Sequence, residues 1–272
     1  MFNLRATERD IKVIKDHLQK DGKVSDFEKV GRGDDASVFK YNNAVIRRPK
    51  DSLTLSNIAK SEAMGFESDG AIPTLEYTDS LIKYSKLAFK KGFLLAPTLD
   101  KTIAEDRVCS FAPYVSGPTL LKCDLQDILA LGHAGIMEYV KNCANLRKAH
   151  LLTNHHSLGD NFIVTGADKK RVCVVDLQYS KTQKIPKESI MDHNARSAQE
   201  YKKSVASRDY YFALNNIWAR LTKDKDNPLV VPIMEIIQRV IYDLGDNVPM
   251  KKDSFIGRAQ YEQNSVAKEL GI

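Results

Sequence analysis

The strongest constraint on what this chain can fold into is a change of hydrophobic period part-way along it. Between Phe27 and Val115 the runs FEKVGRG, ASVFKY, NAVIRRP, LIKYSKLAF, GFLLAPTL and RVCSFAPYV are short, rich in β-branched or aromatic residues and set off mostly by Gly, Asp, Asn or Pro. Such runs read as strands. From Leu125 the apolar residues recur at helical spacing, interrupted only by the strand-like runs NFIV and RVCVVDL. Strands first and helices after imply an α+β fold, with sheet and helices segregated. Residues 7–20 carry Ile11, Val13, Ile14 and Leu18 at helical spacing and stop at Asp21-Gly22, and SLTLSNIAKSEAMGFES is a second helix closed by Gly70 and Pro73. The break falls at VSGPT, where Gly117 and Pro118 suit a connection. The expected organisation is a helical extension at 1–25, a small β-rich part with one main helix at 26–115, and a larger helical part at 116–272. From Asn227 an apolar helix, PLVVPIMEIIQRVIYDLG, is expected to complete the helical part ahead of a polar tail.

Composition narrows the class of function. With 43% hydrophobic and 28% charged residues in 272, the chain can bury a real core and is not of the disordered or fibrous kind. Its richest apolar stretch is broken by Pro232, Glu235 and Arg239, so no membrane span is expected. The opening MFNLRATERDIKVIKDH lacks a secretory apolar core, so no cleaved signal is expected either. Cys109, Cys123, Cys143 and Cys173 form no CxxC pair and read as buried free thiols of a reducing compartment. The net charge, 41 − 35 = +6, fits a phosphate ligand or an acidic partner. Lys90-Lys91 and Lys169-Lys170-Arg171 read first as solvated turns between strand-like runs, so nucleic acid is not an expected partner. These features lead to a cytoplasmic location, and a protein secreted into a host cell without a cleaved signal peptide would look the same.

Four local patterns carry possible chemistry. In GRGDDASVF, Gly31 and Gly33 would let backbone N–H groups close on a phosphate, although a tight hairpin uses the same residues. In AVIRRPK, Arg47 stands where an inward cation would reach phosphates, and Glu62 on the next helix would orient it; an exposed ion pair is the plain alternative. In SFAPYVSGPTLL, the extended Pro113, Tyr114 and Val115 offer backbone groups to the edge of a planar base, or simply link two parts. In NHHSLGDNFIVTGADKKRVCVVDLQY, Asn161 opens one strand and Asp176 ends the next, so a hairpin brings an amide oxygen and a carboxylate to one end. Hard oxygen ligands there suit Mg²⁺ held together with a triphosphate. A plain turn Asn and a surface Asp are the alternative. A metal site from His150, His155 and His156 fits no regular helical face.

Taken in order, these patterns resemble the protein-kinase superfamily over roughly residues 27–220. GRGDDASVF is similar to the glycine-rich loop, with Ala36 at the third glycine place. AVIR at 44–47 is similar to the strand carrying the phosphate-binding lysine, Glu62 to the helix-C glutamate, and APYVSGPTL to the hinge. NHHSLGDN at 154–161 has the length of the catalytic loop, VVDLQ at 174–178 that of the strand entering the DFG motif, and Asp209 in SRDYYFALNNIW falls at the brace of that loop. The short segment after Asp176 is similar to that of the minimal kinases that some pathogenic bacteria inject into host cells. The resemblance implies a bilobal kinase-like fold, a β-rich N-lobe and a larger helical C-lobe, with ATP and Mg²⁺ as cofactors.

The departures bear on activity. Arg47 replaces the lysine, His156 the catalytic aspartate, Asn154 the loop's leading His, and Leu177-Gln178 the Phe-Gly of DFG. Arginine keeps the charge with a longer forked group, and a neutral imidazole can accept a hydroxyl proton. The resemblance therefore implies phosphoryl transfer from ATP to Ser/Thr hydroxyls of a protein. Gly31, Gly33 and Arg47 would lie on the phosphates, Asn161 and Asp176 on the metal, and His156 or Asp160 beside the acceptor hydroxyl. Lys50 is a spare cation, although Pro49 before it marks the end of the strand. Alternatives left open are a pseudokinase that only binds a partner protein, a small-molecule phosphotransferase of the aminoglycoside or choline type, and transfer of AMP in place of phosphate.

Overall fold

The computed structural model describes residues 2–32, 36–63, 73–153, 160–167, 169–179, 210, 213–214 and 216–244. The Gly33, His155, His156, Asn154 and Asp209 expectations lie outside these residues, and of Glu62 only the backbone is described. The fold is α+β and forms two compact units, one running to Ser116 and regaining the chain around 149–153 and 174–179, the other built from Gly117 onward.

The first unit is built on an antiparallel sheet. Its strands are β1 (Glu28–Arg32), β2 (Ala36–Tyr41), β3 (Ala44–Pro49), β4 (Asp100–Ala104) and β5 (Arg107–Pro113), in the order β1-β2-β3-β5-β4. β2 and β3 join through Asn42-Asn43, with Asn42 at φ +48, and β4 and β5 join through Glu105 and Asp106 at φ +52 and +56. At Glu105-Asp106 the positive φ of both central residues marks the tight hairpin turn whose twist matches that of strands. Helix α1 (Leu4–Gln19) starts where the Asn3 side chain accepts the Ala6 N–H at 3.1 Å. It lays Ile11 and Ile14 on Val24, Phe39, Ile46, Cys109 and Phe111, the core of this unit. The same helix face buries Asp10, which accepts the backbone N–H of Asn43 and its side-chain amide, both at 3.0 Å. Burial alone would raise the Asp10 pKa, but the two Asn43 donors and Asn42 reverse this and leave it lowered. α1 is thereby bonded to the β2–β3 turn as well as packed on the sheet.

After β3 come α2 (Leu55–Ala63) and α3 (Leu75–Lys90). Asp106 serves α2 as a cap, taking the Leu55 N–H on its carbonyl at 2.8 Å and the Ser56 N–H on its carboxylate at 3.3 Å. α3 corrects the reading of LIKYSKLAF as a strand. Thr74 Oγ1 caps it by accepting the Tyr77 N–H at 3.1 Å, and Thr78, Leu81, Ser85 and Ala88 recur on its buried side at the helical period. Dense aromatic and aliphatic content imitates a strand until burial shows which period governs. GFLLAPTL is likewise not a sheet strand. It is an extended segment whose Leu95 makes an isolated parallel bridge to Val174, and the edge strand begins after it at Asp100. Ser85 ties α3 to that segment, its hydroxyl accepting the Thr98 N–H at 3.0 Å. Two strands of three residues each, β6 (Leu151–Thr153) and β9 (Leu177–Tyr179), pair antiparallel and pack against α3.

The second unit holds α4 (Leu125–Lys148), the paired strands β7 (Phe162–Thr165) and β8 (Arg171–Val174), helical residues 216–221, and α5 (Val230–Leu244). α4 is broken at Gly132, which takes φ +59 and ψ −173. Tyr139 is fully buried, set edge-on to Phe162 at 5.1 Å, and its hydroxyl accepts Asn216 Nδ2 at 3.1 Å. Arg171 binds Glu138 with two nitrogens, and Arg220 Nε donates to the Cys123 carbonyl at 2.8 Å. Residues 118–120 run alongside β7, with Val164 N–H on the Pro118 carbonyl at 2.9 Å and Leu120 N–H on the Phe162 carbonyl at 2.7 Å. Among the described residues no helix is long and apolar enough to cross a membrane.

Asp10 gives the first test. Asp10→Ala leaves the Asn43 N–H without its partner and should lower unfolding free energy by about 1–3 kcal/mol in denaturant melts at neutral pH. Because the folded carboxyl titrates below its ordinary value, its contribution is fully present above the unfolded range of about 4 and is lost as pH falls through the lowered folded value. The gap between wild type and Asp10→Ala should accordingly narrow in acid; a gap that widens in acid contradicts the assignment.

Candidate functional site

Arg47 sits mid-way along β3, opposite Val38 on β2 and Ser110 on β5. Alternation along the strand turns Ile46 into the core and Arg47 to the opposite face. There the guanidinium reaches Asp176, with Nη2 3.0 Å from Oδ1, at side-chain exposures of 27% and 33%. Asp176 occupies the turn between β8 and β9 with φ +53, a left-handed conformation that Asp tolerates better than most residues. Its Oδ1 is buried and, despite the short contact, receives no aligned hydrogen bond. The pair is an electrostatic contact between a cation and a carboxylate that each keep unused bonding capacity.

Among the described side chains, the helix beside this pair is represented by Tyr77 of α3. Tyr77 of α3 lines a small pocket of about 20 Å³ with Ala36, Arg47, Thr78, Val108 and Ser110. Tyr77 also accepts the Tyr179 backbone N–H on its hydroxyl at 3.0 Å. Burial raises its pKa; the Tyr179 N–H and the Arg47 charge oppose that, and the Asp176 charge adds to it, so the hydroxyl stays neutral. Tyr179 is further held by Tyr84, stacked on it at 5.3 Å and 11°. No motif flagged Tyr77, because its partner is a backbone group on a strand distant in sequence.

Gly31 lies at the irregularity in the β1–β2 register. A methyl added there would meet Val38 at 3.5 Å, an ordinary contact, so packing among the described residues does not require glycine at that place. Of the expected hinge residues, Pro113 has no N–H, and Tyr114 gives its N–H to the Asn43 carbonyl at 2.8 Å. Val115, buried, is left as the one of the three with an amide to offer a base edge. The Tyr114 ring carries Lys40 Nζ 4.1 Å above its centre.

In the second unit Asn161 directly precedes β7 and is buried, with its Nδ2 unpartnered. Amide oxygen and nitrogen exchange places by a half-turn of the side chain, so this position can present an acceptor equally well. Asp160 beside it is exposed, its Oδ1 3.5 Å from Thr119 Oγ1. Gly117 takes φ +140, and a Cβ there would fall 2.1 Å from the Val164 carbonyl oxygen; glycine is required for the chain to enter beside β7. The four cysteines are buried and form no disulfide, and burial pushes Cys109 and Cys173 up to about 12 and Cys123 to about 11, which keeps these three from acting as thiolate nucleophiles.

In the first unit Asp176 Oδ1, apart from its ion-pair contact with Arg47, is a buried oxygen with no hydrogen-bond donor, which fits a cation, and in the second unit the Asn161 amide separately buries a polar atom without a hydrogen-bond partner. Among the described residues no group of three or more His, Cys, Asp or Glu could hold a metal by itself, so a cation on Asp176 would need phosphate or water oxygens to complete its shell.

No protein-family model and no curated protein sequence matches the chain. Among solved structures it is similar to the kinase domain of PknI from Mycobacterium tuberculosis. A single-substitution variant matches with 10% identity over 70% of this chain and 73% of that one, at a TM-score of 0.39. A double-substitution variant matches with 10% identity over 70% and 74%, at a TM-score of 0.40.

If the Arg47–Asp176 contact is a ligand-ready pair and not a structural strut, removing its charge should cost little. Asp176→Asn, which tolerates the same backbone, should shift unfolding free energy by less than about 1 kcal/mol without ligand, as partly exposed ion pairs do. A loss of several kcal/mol in denaturant melts would make the pair structural.

Proposed function

We propose that this protein is an ATP-dependent phosphotransferase with a divergent kinase-type active site, acting on Ser/Thr hydroxyls of proteins. The observation that supports this most is the Arg47–Asp176 contact. The residues that motif order marks as phosphate cation and metal carboxylate, 129 positions apart (176 − 47), are the two that meet. In this reading the γ-phosphate takes the place of Asp176 on Arg47, and the cation takes the place of Arg47 on Asp176. Gly31 and Gly33 cover the phosphates, Val115 meets the base, and Glu62 is a further candidate to orient the cation.

Asn161 and Asp176 would hold Mg²⁺, which supplies charge neutralisation for the transferring group. The acceptor oxygen forms the new bond to the γ-phosphorus while the bond to the β–γ bridging oxygen breaks and ADP leaves. The hydroxyl proton passes to His156 or Asp160. Because the transition state of this transfer is loose, charge neutralisation and positioning matter more than the strength of the base, so a histidine or an off-position aspartate is compatible with turnover. Arg47 offers a fork to two phosphate oxygens.

A second reading, a pseudokinase that serves only as a partner-binding module, is favoured by the inward commitment of the Tyr114 N–H and by the altered Arg47, His156 and Leu177-Gln178 positions. Incubation with γ-labelled ATP and Mg²⁺ separates the two. The enzyme reading predicts label on the protein itself or on a generic protein substrate, with at least a hundredfold loss in Asp176→Ala, the scale of removing a charge-stabilising group. Absence of label, or label that Asp176→Ala leaves intact, contradicts it. Mass spectrometry of the product identifies the group transferred.

A further inference from the structure

Asp176 is reached from β9, and β9 is held to α3 by one polar bond within a set of ring contacts. That bond is the Tyr179 N–H on the Tyr77 hydroxyl at 3.0 Å. Around it Tyr77 meets the Tyr179 ring edge-on at 6.0 Å, and Tyr84 stacks on the same ring and meets His150 at 5.0 Å. Only two residues lie between Asp176 and Tyr179, and the Asp176 backbone is in the left-handed region. A left-handed non-glycine residue persists when its surroundings over-determine it. On the upstream side the chain is fixed by Ala96 N–H on the Val174 carbonyl at 2.9 Å and Val174 N–H on the Leu94 carbonyl at 3.0 Å. On the downstream side the β6–β9 ladder and the Tyr77 hydroxyl do the same. Tyr77 also lines the pocket wall with Arg47, so one side chain of α3 touches the neighbourhood of the cation and the strand that carries the carboxylate.

We propose that Tyr77 is a positioning residue of this site: by holding β9 at Tyr179 its hydroxyl fixes the turn that aims the Asp176 carboxylate. The inference rests on the phosphotransferase reading for its effect on metal and nucleotide. The latch itself is a property of the fold. It makes the pose of Asp176 depend on α3.

The test uses the full chain and the conservative variant Tyr77→Phe, which keeps the ring and removes only the hydroxyl. Tyr84→Phe is the control, since its ring makes the stacked contact with Tyr179 while the bond to the Tyr179 N–H belongs to Tyr77. Two quantities are read: amide hydrogen exchange at Tyr179, and the Mg²⁺ concentration giving half of the melting-point rise produced by saturating ADP. Tyr77→Phe should speed Tyr179 exchange and raise the Mg²⁺ requirement about fivefold, the effect of losing one hydrogen bond between neutral groups. Tyr84→Phe should leave the Mg²⁺ requirement at the wild-type value.

Unprotected Tyr179 in the wild type contradicts the latch irrespective of any variant. A wild-type melting rise with a Mg²⁺ requirement that Tyr77→Phe leaves unchanged defeats this inference alone. A wild type with no melting rise at any Mg²⁺ concentration defeats the phosphotransferase reading, and the positioning role with it. An equal rise in Mg²⁺ requirement for Tyr84→Phe would assign the effect to general packing of the tyrosine cluster and overturn the role of the hydroxyl.

Discussion

A cation on β3 and a carboxylate in the turn before β9 face each other at 3.0 Å without an aligned hydrogen bond, and much of the first unit serves to keep them there. Two partly exposed charges in this geometry attract weakly because water screens them. Each is worth far more to a ligand of opposite charge that excludes that water. The pair is thus inexpensive to separate, which suits it to binding an anion and a cation together. The fold supplies the rigidity that the contact itself lacks. β3 is an interior strand of the sheet, with neighbours on both sides, and the carboxylate's turn is fixed upstream by the extended segment at Leu94–Ala96 and downstream by β6 and α3.

The sheet of the first unit was legible in sequence to the extent that its strands are long and bounded by turn residues. β1, β2, β3 and β5 announce themselves through runs such as ASVFKY and RVCSFAP between Gly, Asn and Asp. α3 was not legible as a helix, since LIKYSKLAF spreads Ile82, Tyr84 and Phe89 among polar residues as a strand does; what decides it is the burial of Thr78, Leu81, Ser85 and Ala88, a tertiary fact. β6 and β9 are three residues each and carry no periodicity to detect. Asp10 hides for another reason: a carboxylate on a helix is expected in solvent, and only the proximity of the Asn42-Asn43 turn makes burial tolerable.

The candidate site divides along the same line. Arg47, Asn161 and Asp176 are named by residue type and order along the chain, and of these the first unit brings Arg47 and Asp176 into contact. Tyr77 escaped because it acts through a backbone amide, which leaves no trace in the identity of Tyr179. Gly117 shows the converse. The sequence marks it only as a linker glycine, whereas the close approach of the Val164 carbonyl makes it indispensable.

The central claim is that Asp176 gives up Arg47 for a divalent cation when nucleotide binds. Calorimetric titration of ADP into the full chain, with and without Mg²⁺, tests this most directly in wild type and Asp176→Asn. The account predicts that Mg²⁺ tightens ADP binding in the wild type and that the tightening disappears in Asp176→Asn. Equal tightening in both proteins would place the cation elsewhere and contradict it.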